Sequence, residues 1–175
     1  MKIASLANIV NKINLNFLIF VLVSVVLIPA STAFADSASE NMKILQEKIS
    51  ADKKLLVAEN MDLTDAEAKG FWPIYDAYQK DLQKINDQLA KVINEYAIIY
   101  NANTLTNEKA RQLLDEVFKV DTAEIQLKQS YVPKLAKVLS GVKTVRYIQI
   151  ENKIRALDRY EITKMIPLMV EGKPY

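Results

Sequence analysis

Apolar side chains recur in alternating steps of four and three residues from Phe71 through Tyr75, Tyr78, Leu82, Ile85, Leu89, Val92 and Tyr96 to Ile99. An interval averaging about 3.5 residues keeps every member on one side of a helix, so the series reads as a heptad seam. Its start is marked by Leu63-Thr64-Asp65-Ala66-Glu67, where the Thr64 hydroxyl can accept from the Glu67 amide while the Glu67 carboxylate returns to the Thr64 amide. Pro73 lacks an amide and crowds the preceding turn, so a bend is predicted at Gly70 to Pro73.

Three further helices follow from the same pattern. Before the seam, Met42, Leu45, Ile49 and Leu56 stand near helical spacing behind Ser39, a natural N-cap. The run Leu55-Leu56-Val57-Ala58 has no clear period and suits either that helix or an extended or irregular segment. After the turn residues Asn101-Ala102-Asn103-Thr104, Thr106 caps a third helix whose stripe is Ala110, Leu113, Val117, Val120, Leu127, Tyr131, Leu135 and Val138. Glu124 interrupts that stripe, Pro133 bends it, and Ser140-Gly141 ends it, with glycine as the C′ residue. A fourth helix is predicted from Val142 to Met165, burying Tyr147, Ile150, Ile154 and Leu157 and stopped by Pro167. Arg146 and Lys153 flank one side of its stripe and Glu151 and Asp158 the other, as solvated residues that fix its register. The expected fold class is therefore all-α, an elongated antiparallel bundle or hairpin of about four helices.

Before all of this stands a segment of different character. Lys2 and Lys12 lie in a polar lead, an apolar run extends from Phe17 to Ile28, and Pro29 precedes Ala30-Ser31-Thr32-Ala33-Phe34-Ala35. That is the three-part layout of a secretory signal, and its apolar run is shorter than the roughly 20 residues of a spanning helix. Residues 1–35 are expected to be cleaved, leaving one domain over 36–175 with a short C-terminal tail and no stable membrane anchor. Cleavage removes Lys2 and Lys12, so 21 cations remain against 21 acidic residues. A formally neutral mature chain carries no general attraction to nucleic acid or to anionic lipid. The expected location is periplasmic, or secreted if the source has no outer membrane.

The side chains narrow the chemistry further. The chain has no histidine and no cysteine, which removes the usual general base, the zinc ligands and the haem attachment motif together. Neither a nucleophile elbow nor a glycine-rich phosphate loop is present. Asp115 and Glu116 are adjacent and so face different sides of a helix. The reading is a non-enzyme without cofactor or metal, in which only a carboxylate calcium site stays conceivable. Trp72 and Tyr100 lie beside the seam and are candidates for a protein-contact surface.

Two Leu-Thr helix starts, Leu63-Thr64 with Glu67 and Leu105-Thr106 with Lys109, on an exported chain of this size resemble the doubled LTxxQ motif of the Spy/CpxP family. Phe71-Trp72-Pro73-Ile74-Tyr75 and Arg146-Tyr147-Ile148-Gln149-Ile150-Glu151-Asn152-Lys153 look like signatures of an uncharacterised bacterial branch near it. Glu67 and Lys109 stand where that family usually has glutamine. The resemblance implies a periplasmic, ATP-independent chaperone or envelope-stress protein, long-helical and curved into a cradle that is often a homodimer. Its partners would be unfolded client proteins or one envelope protein such as a sensor domain. The missing histidines argue against the zinc-linked relatives of that family.

Overall fold

A computed structural model describes residue 47 and residues 49–169; the signal segment, Ser39, Met42, Leu45 and the end of the C-terminal tail lie outside the described residues. The described chain is all-α, with four helices: α1 (49–61), α2 (Asp65–Asn101), α3 (Asn107–Leu135) and α4 (Gly141–Met165). Its contacts divide into two units. One holds Leu63–Gln149 together with the stretch from Pro167; the other holds the residues up to Asp62 with Ile150–Ile166.

In the larger unit, α2 starts as its sequence dictates. Thr64 is extended at φ −70° and ψ 162°, its hydroxyl accepts from the Glu67 amide at 3.3 Å, and the Thr64 amide donates to the Glu67 carboxylate at 2.9 Å. Asp65 and Glu67 place negative charge at the positive end of the helix dipole. The helix then runs for 37 residues, about 55 Å, continuously through Gly70 and Pro73. Phe71, Tyr75, Tyr78, Leu82, Ile85, Leu89, Val92 and Tyr96 are buried along the seam, and Ile99 is half-buried.

At its C-terminus the Asn103 amide donates to Tyr100 and the Thr104 amide to Ile99, both at 3.1 Å. This is a Schellman closure that needs a left-handed residue, and Asn103 supplies it at φ 51°. α3 returns antiparallel to α2: Lys109 near its start pairs with Glu95, and Tyr131 near its end donates to Asp81 at 2.8 Å. Leu113, Val120, Tyr131 and Leu135 are its buried apolar residues. The start of α4 brings in Tyr147, fully buried, edge-on to Phe71 at 5.1 Å and to Tyr78 at 6.1 Å. Tyr78 also meets Tyr131 edge-on at 5.3 Å. The centre of this unit is thus a ring-edge network, in which each such pair adds about 0.5–1.5 kcal/mol beyond its burial.

One open alternative is settled and two local expectations change. The run Leu55–Ala58 is helical, with Val57 and Met61 fully buried on a period of four. α3 ends at Leu135, five residues before Ser140, and 136–139 are turn and bend. Ser140 opens the next helix instead of closing the last one: its hydroxyl accepts from the Lys143 amide at 3.2 Å and its carbonyl from the Thr144 amide at 2.9 Å. Capping chemistry outranks the glycine signal because Gly141 needs no left-handed backbone there. In the smaller unit, Glu151 is not a solvated flank. It is 2% exposed and accepts from Lys53 of α1 at 2.9 Å. A carboxylate so buried needs compensation by a cation, and Lys53 contributes to it.

Candidate protein-contact surface

The two Leu-Thr starts do the same work on two helices. Around Thr64, the Glu67 carboxylate takes the Thr64 amide and then reaches across to Lys143 of α4 at 2.6 Å. Lys143 is the main reason the Glu67 carboxyl is held below its ordinary value, with the Thr64 amide second. Around Thr106, the hydroxyl accepts from the Lys109 amide at 3.1 Å, and the Lys109 ammonium bonds Gln112 at 3.0 Å and pairs with Glu95 of α2. Leu63 and Leu105 are half-buried beside their caps. Glu67 and Lys109, the two departures from glutamine, are therefore the charged ends of cross-helix ion pairs of opposite polarity. These six positions hold helix starts in place.

Trp72 and Tyr100 are half-buried and anchored by ring contacts. Trp72 lies 5.0 Å from Phe71 and 5.4 Å from Tyr75, both edge-on, and Tyr100 lies 5.7 Å from Tyr96. Tyr96 in turn donates to the Pro167 carbonyl at 2.8 Å, and burial raises its phenol above the usual range.

The open apolar surface lies elsewhere, on the side of α3 turned from α2. Leu114, Phe118, Ile125 and Val132 are between 40% and 57% exposed. Their spacing of four, seven and seven sets them in one line along the helix. Arg111, Asp115, Thr122 and Gln129 are exposed beside them. Sequence reasoning followed the inner stripe and passed over this outer one. The signal was present in the doublets Leu113-Leu114, Val117-Phe118 and Tyr131-Val132. Adjacent residues on a helix are about 100° apart, so one member of each doublet has to leave the core.

The inner face of α3 carries its own polar group. Glu124 is buried in line with Val120 and Tyr131 and meets Lys128 at 2.9 Å one turn on. Tyr131 is pushed up to about 12, by burial first and by its bond to Asp81 second. The Asp81 carboxyl is held low, chiefly by Lys84 and then by that phenol. Among the described residues no group of three or more acidic side chains is gathered to hold a metal ion, and no helix is long and apolar enough to cross a membrane. What the arrangement offers is adhesive: a line of apolar side chains bordered by charge, on a helix held rigid by caps and ion pairs. Against known proteins, no family model matches the chain, and neither a curated protein nor a solved structure resembles it.

Proposed function

We propose that the mature protein works in the cell envelope as an ATP-independent protein-binding module, a holdase-like chaperone or envelope-stress protein, and that the outer stripe of α3 is its contact surface. The observation that carries this reading is the line Leu114, Phe118, Ile125 and Val132, large apolar side chains left in water on a well-capped helix. The signal-like N-terminal segment and the two Leu-Thr starts support the compartment and the class. The energetics suit transient holding. Burying the half of each of the four side chains that is still exposed yields roughly 3–6 kcal/mol, at about 1.5–3 for a whole side chain, against an association cost of roughly 4–15 kcal/mol. The net is a weak, reversible grip, useful to a holdase and poor for a permanent complex. Purified protein without nucleotide should suppress aggregation of a chemically unfolded client at near-stoichiometric ratio in light scattering. Full aggregation despite excess protein would sink the reading.

A second reading draws on the seven-residue steps from Phe118 to Ile125 to Val132. A heptad line suits one helix laid along it, as a dedicated regulatory partner such as a sensor domain would supply. Capture from envelope extract separates the two: one stoichiometric partner favours the regulator, and a broad set of unfolded proteins favours the chaperone.

A further inference from the structure

Formal neutrality hides a one-sided distribution of charge. Between Glu124 and Glu151 the chain carries Lys128, Lys134, Lys137, Lys143 and Arg146 and no acidic residue. Since α3 ends at Leu135 and α4 begins at Gly141, most of this stretch is folded into the corner that joins them. Two of the five cations are engaged inward, Lys128 with Glu124 at 2.9 Å and Lys143 with Glu67 at 2.6 Å. Glu67 is the carboxylate that this second pair brings to the corner, and Lys143 offsets its charge. The other three stand outside. Lys134 is exposed with its ammonium 3.7 Å from the Tyr131 ring centre and interacts with the Asp81 carboxylate, Lys137 is exposed in the turn itself, and Arg146 is exposed on α4.

Apolar side chains stand beside the last of these cations: Val142 and Val145 are 74% and 57% exposed on the first turns of α4. Positions 142, 145 and 146 fall on one face of that helix, so Arg146 shares its face with two bare valines. A soluble polyanion would satisfy the three cations and leave the valines in water. An anionic bilayer surface takes both, since phosphates meet the cations while short aliphatic side chains enter between the headgroups.

We propose that the α3–α4 corner docks this protein peripherally on an anionic lipid surface. Each outward cation strengthens partitioning by roughly fivefold, so the three together account for roughly a hundredfold, and salt weakens the attachment. The test is co-flotation of the exported protein, its N-terminus defined by mass spectrometry, with mixed phosphatidylcholine–phosphatidylglycerol vesicles and with pure phosphatidylcholine vesicles. Binding to the anionic vesicles alone is expected. It should fall roughly a hundredfold in K134Q/K137Q/R146Q and roughly 25-fold in K137Q/R146Q, which keeps Lys134 over Tyr131. V142S/V145S should also bind less, at unchanged charge. K80Q/K84Q/K91Q, which removes three exposed cations of α2, should bind as wild type; circular dichroism melts verify that every variant is folded. No binding, equal binding to neutral vesicles, an equal loss in the α2 variant, or displacement by inorganic phosphate at matched ionic strength would each overturn the proposal.

Discussion

A methyl group added at Gly70 would stand 2.8 Å from Cγ1 and 3.0 Å from Cβ of Val138. Val138 is β-branched, so it cannot swing aside cheaply. Alanine would gain about 1 kcal/mol of helix propensity but lose about 1–3 kcal/mol to overpacking, and the clash should win. G70A is expected to lower the urea midpoint, by a net of about 1 kcal/mol, and to become stabilising in a V138A background where the space is free. Equal effects of G70A in both backgrounds would disprove the contact. Charge at single residues sets the pH limits in the same way. Glu67 titrates below its ordinary 4.5 because Lys143, and then the Thr64 amide, favour the carboxylate. The unfolded chain therefore takes up this proton first as pH falls, so the contribution is whole above about 4.5 and drains below it. Tyr131 has the opposite sign: its phenol is pushed up to about 12, so its contribution is whole below 10.0 and drains as pH rises towards 12. Stability-versus-pH curves should flatten on the acid side in E67Q and on the alkaline side in Y131F; parallel curves in either case would refute that assignment.

At the scale of the helix, the two Leu-Thr caps look alike in sequence and differ in what depends on them. Thr106 satisfies one amide, that of Lys109. Thr64 satisfies the Glu67 amide while its own amide and hydroxyl both donate to the carboxylate that receives Lys143. T106A should therefore cost about 1 kcal/mol, and T64A should lie nearer the top of the range of roughly 0.5–2 kcal/mol for such caps. A T64A/K143M double-mutant cycle in denaturant should show coupling, whereas additive costs would mean that cap and ion pair act independently. The same contrast separates what was legible in the sequence from what was not. The α2 seam was readable because burial repeats with the helix period, and Phe71 to Tyr96 is buried at every anticipated position. The end of α3 was misplaced because Ser140-Gly141 carries two signals, and the hydroxyl cap prevails over a glycine whose special freedom goes unused. Glu151 was misread as a solvated flank because its partner, Lys53, is 98 residues away, beyond any local pattern. The outer line of α3 was missed for a different reason. A periodicity search stops once one stripe is found, and a helix with two stripes needs its adjacent apolar doublets counted as well.

For the molecule as a whole, the decisive question is whether the outer line of α3 serves contact or merely escapes burial. These side chains keep about half their surface in water, so they contribute less to folding than the buried seam does. Replacing any one of them should consequently cost about 0.5–1 kcal/mol, well below the cost of a seam residue. A contact surface predicts a larger effect on binding, because each lost side chain removes about 0.7–1.5 kcal/mol of gross burial from a marginal total. L114Q/F118Q/I125Q removes three members, roughly 2–4.5 kcal/mol gross, and should abolish protection of an unfolded client in light scattering at a temperature and denaturant concentration where the variant is still fully folded. Trp72 and Tyr100 supply the control. Both are half-buried against neighbouring rings, so W72A and Y100A should lower stability first and client protection only in proportion. If the triple variant protects the client as well as wild type does, the line on α3 is bystander surface. If W72A loses protection at full stability, the ring cluster at the start of α2 is the working surface in its place.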